Sequence, residues 1–348
     1  MPADAGMVDL FKRELKLCKV TAEETLAVLT QGENYSDYAQ GFLTAAQQIG
    51  ASAFQVSVPA PVTHGGYAAN LGKTTIAGNR PVIEALKAAD IVIDLMFLLF
   101  SEEQNEITDS GTRMLLVVEP LEVLIRMFPD EDLRRRVEVG EALLGNAKKM
   151  HITSPSGTDV RYHLGAFPVM TEYGYTDQPG RWDHWPSGFM FTGAYEDGVD
   201  GKVVLAPGDI VCAFKRYVQS RVEIDIAKGY VIDVRGEGLD AALIRNYMAK
   251  FDDKARAISH IGWGLNQHAD WHHMAVGDPH KELGMDALAY YGNVLFSTGP
   301  NTELGGENDT PCHLDMPLRG CTLTLDGETI IKDGNVLPAD MKADITAQ

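Results

Sequence analysis

Residues 81–95, PVIEALKAADIVIDL, decide the fold. From Pro81 to Ala89 the apolar residues recur at helical spacing, which predicts a helix. From Ile91 to Leu95 the run is short, β-branched and almost wholly apolar, which predicts a strand buried on both faces. The same alternation extends outward in both directions. Upstream, Glu24 to Thr30 predicts a strand, Ser36 to Gly50 a helix stopped by its glycine, and Ala51 to Val58 another strand. Downstream, Arg113 to Val118 predicts a strand, followed by helices over Pro120 to Phe128 and Glu131 to Lys149. Strands alternating with helices imply an α/β domain with a largely parallel sheet.

The texture changes near residue 149. Glycine and proline become denser, and short strand-like runs cover Gly201 to Ala206, Arg221 to Lys228 and Tyr230 to Arg235. One helix is predicted from Leu239 to Lys250. The stretch Thr322 to Pro338 predicts a hairpin, because TLTLDGETII alternates around the turn dipeptide Asp326-Gly327. The expected division is an N-terminal α/β domain, 1–148, and a C-terminal α+β domain, 149–348. The chain shows no internal repeat and no low-complexity segment.

Composition excludes several classes of function. The 348 residues are 45% hydrophobic and 23% charged, ordinary values for a globular protein able to bury a core without disulfides. Thirty basic against 49 acidic side chains give a formal charge of -19. Such a chain offers no basic surface for nucleic acid or for an anionic membrane. Cys18, Cys212, Cys312 and Cys321 show no CxxC spacing and are expected to be reduced thiols. The N-terminus, MPADAGMVDLFKRELKL, lacks the apolar region of a signal peptide. The longest apolar run, Ile91 to Phe100, contains Asp94 and is too short to span a bilayer. A cytoplasmic location is expected.

The stretch Gly65 to Thr74 imitates a phosphate-binding loop, but Tyr67 stands where that loop requires glycine. Nine of the ten histidines lie beyond residue 149. In Cys312-His313-Leu314-Asp315, a His-x-Asp pair on a strand would place both side chains on one face. A nitrogen and a carboxylate there suit a divalent metal, and equally a surface pair or a buried hydrogen bond. In Ser259-His260-Ile261-Gly262-Trp263-Gly264, the glycines imply a tight turn with close backbone approach. His260 is a candidate third ligand or a satisfied core histidine. His268 and His272 are four apart but lack the glutamate of a zinc-protease helix, and their polar surroundings read as a solvated loop or helix end. In Arg181-Trp182-Asp183-His184-Trp185-Pro186, a histidine between tryptophans suits a flat aromatic ligand and proton transfer, or else core packing with Arg181 and Asp183 paired.

Four long strings, TEYGYTDQPGRWDHWPSGF (171–189), SHIGWGLN (259–266), NVLFSTGPNTELGG (293–306) and TPCHLDMPLRGC (310–321), resemble the 2,5-dihydroxypyridine 5,6-dioxygenase family in order and spacing. AADIVID (88–94) and LLVVEPLEVL (115–124) extend the resemblance over nearly the whole chain. That family is similar in turn to two-metal aminopeptidases, which implies an aminopeptidase-like fold. Where the peptidases carry metal-ligating residues, this chain has His260 for a glutamate, Leu295 for a histidine, and Tyr173 after Glu172. The resemblance therefore implies one metal, held by His260, His313 and Asp315.

The chemistry implied by the resemblance is that of a mononuclear non-heme Fe(II) enzyme. It would cleave 2,5-dihydroxypyridine in an extradiol-like manner to N-formylmaleamate, using O2. His184 is the implied base for a substrate hydroxyl. Glu172, Ser297 and Thr298 are implied to line the pocket or support ligands. One departure stands out: other family members have histidine where this chain has Phe100, which can stack on a pyridine ring but cannot carry a proton. The sequence leaves three rivals open: a dioxygenase for another hydroxypyridine, a retained aminopeptidase, and a non-catalytic binding protein. The resemblance also implies a homo-oligomer, and a role in nicotinate or picolinate degradation.

Overall fold

The computed structural model describes residues 4–60, 72–278 and 281–343. His64, His280 and most of the loop resembling a phosphate site lie outside the described residues. The chain forms two compact units. The first holds the described residues up to Asp130, together with Tyr173–Pro186; the second holds Glu131–Glu172 and the chain from Ser187 onward.

The first unit is built on a parallel sheet of five strands. Their order is Ser52–Val58, Thr25–Gln31, Ile91–Asp94, Arg113–Leu116 and Trp182–His184. Ile91–Asp94 and Arg113–Leu116 are buried at every position, because helices cover a parallel sheet on both faces. Val92, Ile93, Met114 and Leu115 are fully buried, and each such side chain contributes about 1.5–3 kcal/mol by leaving water. The helices Ala5–Leu17 and Ser36–Ile49 pack together through Phe11 and Phe42, whose rings stack at 4.0 Å. A helix at Glu102–Asp109, capped by Ser101, was not legible in its polar sequence.

Asp94 ends the central strand and shapes the loop after it. Its carboxylate accepts N–H bonds from Met96, Phe97 and Leu98 at 2.7–3.0 Å. Burial nevertheless pushes its pKa up to about 6 against those three bonds. Phe97 and Phe100 in this loop adopt φ of 71° and 66°. Bulky residues rarely hold positive φ, and such strain concentrates at functional sites.

The second unit is a large antiparallel sheet organised by one strand, Phe189–Leu205. This strand pairs along its length with Asp159–Leu164, Met170–Glu172, Val222–Ala227 and Ile258–Gly264. At one end the order runs from it through Ile258–Gly264 and Val294–Thr298 to Leu314–Leu318. The predicted hairpin is present as Thr322–Leu325 and Glu328–Lys332, with Asp326 and Gly327 at φ of 49° and 95°. Two positive φ values in a two-residue turn match the twist of the flanking strands.

A single crossing near residue 149 does not describe this partition. The helix Glu131–Asn146 joins the second unit because its buried face packs there, with Met190 and Met341 against Gly140. Residues 173–186 return to the first unit to add the last parallel strand. All four cysteines are buried as thiols. Among the described residues, no helix is long and apolar enough to cross a membrane.

Candidate metal centre

Three adjacent strands of the second unit build the site. His260 lies on Ile258–Gly264, Ser297 on the middle strand Val294–Thr298, and Asp315 on Leu314–Leu318, with His313 just before it. Ser297 is the ladder partner of Asp315. On its other side the register slips: Ile258 pairs with Thr298 and Ile261 with Phe296, leaving Ser259 and His260 opposite Ser297 alone. This is a β-bulge, which re-aims a side chain at the cost of ladder bonds. Ser297 Oγ replaces those bonds, accepting from His260 N–H at 2.9 Å and donating to His260 C=O at 3.0 Å. The hydroxyl of Ser259 secures the same bulge by donating to the Pro300 carbonyl.

Donor atoms of His260, His313 and Asp315 lie within 4.8 Å of one another, all substantially buried. His260 Nε2 is 3.4 Å from His313 Nε2 and 3.4 Å from Asp315 Oδ1, and His313 Nε2 is 3.0 Å from Asp315 Oδ2. With metal–ligand bonds of about 2.1 Å, donors sit about 3.0 Å apart at right angles and about 3.4 Å apart at tetrahedral angles. The Nε2–Nε2 separation and the two Nε2–carboxylate distances, one to each Asp315 oxygen, fall in that range, so the residues fit a single cation. Two neutral imidazoles and one carboxylate suit a divalent ion and leave coordination positions open.

The electrostatics agree. Burial, together with the neighbouring His313, pushes His260 down to about 4 against the pull of Asp315. Burial also opposes charge on His313, but Asp315 and Glu303 outweigh it and raise its pKa. Burial opposes the Asp315 carboxylate too, yet His313, His260 and Lys215 together hold it below the ordinary range. The cluster thus favours one positive charge among its three members and disfavours two on the rings. Among the described residues, histidine, cysteine and acidic side chains form such a group only here.

The remaining sequence candidates are spread over both units. Thr298 is buried, and its Oγ1 meets no partner among the described residues. Glu172 Oε2 accepts from Ser187 Oγ at 3.1 Å, and Leu295 is buried in the middle strand of the site. His184 belongs to the first unit, at the C-terminal end of its last parallel strand, the end at which open α/β sheets bind ligands. Its ring is buried, which drives its pKa down to about 3, and its Nε2 has no hydrogen-bond partner among the described residues. Asp183 pairs with Arg181 at 2.6 Å and accepts N–H bonds from Tyr173, Gly174 and His184. Phe100 also lies in the first unit. His268 and His272 are exposed and stay outside the donor cluster. Two charged groups acting on the triad escaped the sequence reading. Lys215, whose Nζ donates to the Glu282 carbonyl at 2.6 Å, acts on Asp315. Glu303 acts on His313 and Asp315, and burial pushes its carboxyl up to about 7. It sits in the NTELGG string, where a glutamate between glycine and asparagine reads as solvated.

The family model of 2,5-dihydroxypyridine 5,6-dioxygenase (NicX) matches residues 6–338. The chain is 45% identical over 349 aligned residues to 2,5-dihydroxypyridine 5,6-dioxygenase of Pseudomonas putida, covering 98% of this chain and 99% of that one. The solved structure of 2,5-dihydroxypyridine dioxygenase from Pseudomonas putida superposes with a TM-score of 0.94 at 44% identity, over 97% of this chain and 99% of that one. Wild-type AmpT from Thermus thermophilus shares the fold, with a TM-score of 0.65 at 15% identity over 95% and 99% of the two chains. That likeness bears out the aminopeptidase-like fold class. A family match over nearly the entire length, around a site built from the same strings that carry the resemblance, leads to one conclusion: the chain belongs to the 2,5-dihydroxypyridine 5,6-dioxygenase family of oxidoreductases.

Proposed function

We propose that this protein is an Fe(II)-dependent, extradiol-like dioxygenase that opens 2,5-dihydroxypyridine between C5 and C6. Substrate and O2 together account for every atom of the product, N-formylmaleamate. The observation that carries the reading is the convergence of His260, His313 and Asp315, whose two Nε2 atoms lie 3.4 Å apart and 3.4 and 3.0 Å from the two carboxylate oxygens. These residues would hold the iron through both Nε2 atoms and the carboxylate. Bound iron supplies what zinc does not, a redox-active centre with open positions for two ligands.

The chain's own residues set the conditions. Ser297 keeps the His260 bulge in place, so the ligand is oriented before any metal arrives. Burial keeps the triad largely out of water, which strengthens its interaction with developing charge. The role of accepting a substrate hydroxyl proton comes to His184 from the family resemblance. Its buried ring is neutral at every physiological pH and so has a lone pair to offer. The low pKa requires a compensating negative charge on the substrate oxygen while the proton is held. His184→Ala is expected to retain iron and lose about 10²- to 10⁴-fold in turnover, the usual contribution of a positioned base. An unchanged rate would remove His184 from that role. Phe100 supports a second reading, in which the preferred ring carries other substituents. Such an enzyme would serve the breakdown of N-heteroaromatic acids such as nicotinate or picolinate.

The test uses protein purified without oxygen and reconstituted with Fe(II), with Zn(II) protein as control. Ring absorbance and dissolved oxygen are followed together. Equal consumption of ring and O2, with iron only, is the expected result. Absence of oxygen uptake, with aminoacyl anilide cleavage by the Zn(II) form, would overturn the proposal in favour of a peptidase.

A further inference from the structure

Glu303 is set apart from the other buried acids of its unit. Asp209 accepts from the Ala206 and Arg319 N–H groups. Asp240 accepts from Gln219 and Ser220 and pairs with Arg216. Both carboxylate oxygens of Glu303 are buried, and among the described residues no other residue donates a hydrogen bond to either; only its own backbone N–H acts on the carboxylate. A carboxylate taken from water with no donor beyond its own backbone is costly, so its retention calls for a ligand that brings one.

Its position is firmly built. Glu303 lies in the short 3-10 turn Thr302–Leu304, which comes after the middle strand of the metal site. Asn301 secures the turn: its carbonyl accepts from Leu304 N–H at 3.1 Å and Gly306 N–H at 3.0 Å, and its Oδ1 accepts from Asn308 N–H at 2.9 Å. Leu304 Cδ1 would stand 3.0 Å from a Cβ on Gly193, and Gly193 is the ladder partner of His260. The carboxylate acts electrostatically on both His313 and Asp315. It does not join the convergent donor group, so it borders the metal site without being a fourth ligand.

We infer that Glu303 is a specificity-determining residue whose carboxylate accepts the ring N–H of the substrate's lactam edge, thereby selecting a nitrogen heterocycle over a carbocyclic ring. This rests on the reaction proposed above. In its lactam form 2,5-dihydroxypyridine presents N1–H beside C2=O, and C2 lies para to the 5-hydroxyl carbon. If the 5-hydroxyl side were turned toward a metal held by His260, His313 and Asp315, that edge would be left for a protein acceptor. Hydroquinone has the same outline and both oxygens but no N–H.

The experiment measures anaerobic binding of 2,5-dihydroxypyridine and of hydroquinone to Fe(II)-loaded protein, alongside iron content and oxygen uptake. Glu303→Leu removes an unpartnered buried polar group and is expected to fold and to keep its iron. It should bind 2,5-dihydroxypyridine about 10- to 100-fold more weakly, the usual range for a lost hydrogen bond to a charged group, and hydroquinone within about twofold of wild type. Glu303→Gln keeps a carbonyl acceptor and is expected to restore dihydroxypyridine binding to within a few-fold. Equal weakening of both ligands, loss of iron, or failure of Glu303→Gln to restore binding would assign Glu303 to the metal site instead and overturn the inference. Wild type that oxidises dihydroxypyridine while Glu303→Leu binds it equally well sinks this assignment alone. Wild type that neither binds nor oxidises it sinks the proposed reaction as well.

Discussion

Replacing His313 with alanine is expected to abolish iron binding and turnover together. His313 Nε2 is one corner of the triangle, 3.0 Å from Asp315 and 3.4 Å from His260, and it is only 5% exposed. Its removal leaves two donors, one imidazole and one carboxylate, and no nearby group converges to replace it among the described residues. Changes outside the ligand shell already cost roughly 10- to 100-fold in metal affinity, so loss of a ligand costs more. The fold should survive, because alanine here removes a buried ring and leaves every strand bond in place. The measurement is metal content after desalting, oxygen uptake with 2,5-dihydroxypyridine, and a circular dichroism melt on the same sample. His268→Ala and His272→Ala serve as controls: both side chains are exposed and outside the cluster, so both variants should keep iron and activity. Iron retained at wild-type level by His313→Ala would show that the triangle is a hydrogen-bonded cluster rather than a metal site.

The parts of this molecule legible in the sequence are those where local pattern and tertiary role coincide. The buried strand Ile91–Asp94 announces itself by an apolar run, and the closing hairpin by Asp326-Gly327. His313 and Asp315 were visible as a pair because strand periodicity puts alternate residues on one face. His260 was not linked to them by spacing. It reaches them across the middle strand only because a bulge opposite Ser297 turns it there, and a bulge has no local signature. The strand Trp182–His184 was hidden for a related reason. Its residues read as an aromatic cluster, and its strand conformation comes from adding to the Arg113–Leu116 edge some 70 residues earlier in the chain. The boundary near 149 failed on the same ground, since the helix before it packs onto a sheet formed by later sequence. Glu303 and Lys215 act through burial and proximity, which composition does not reveal.

The glycines around His260 separate local from tertiary cause most sharply. They read as a turn, yet Gly262 and Gly264 lie in a regular strand with no positive φ. Their reason is close approach. A Cβ on Gly262 would stand 1.9 Å from the Met190 carbonyl oxygen and 2.8 Å from Phe191 Cα. Both are backbone atoms of the strand that pairs with it, so no rotamer change relieves the clash. Gly262→Ala must therefore spread the two strands, two residues from His260. The expected cost is about 3 kcal/mol or more, above the usual range for a single substitution. The molecules that remain folded should also bind iron more weakly, because the bulge that aims His260 is part of the displaced strand. Gly145→Ala tests the argument from the other side. That glycine lies in the helix Glu131–Asn146, and its added Cβ would meet Val169 at an ordinary 3.6 Å. There alanine improves helix propensity and should be neutral or stabilising by up to about 1 kcal/mol, with iron unchanged. Denaturant midpoints and metal content for the two variants are the measurement. Equal, small effects from both would mean that the strand around His260 yields easily, and that the ligand triangle owes its shape to the metal rather than to the sheet.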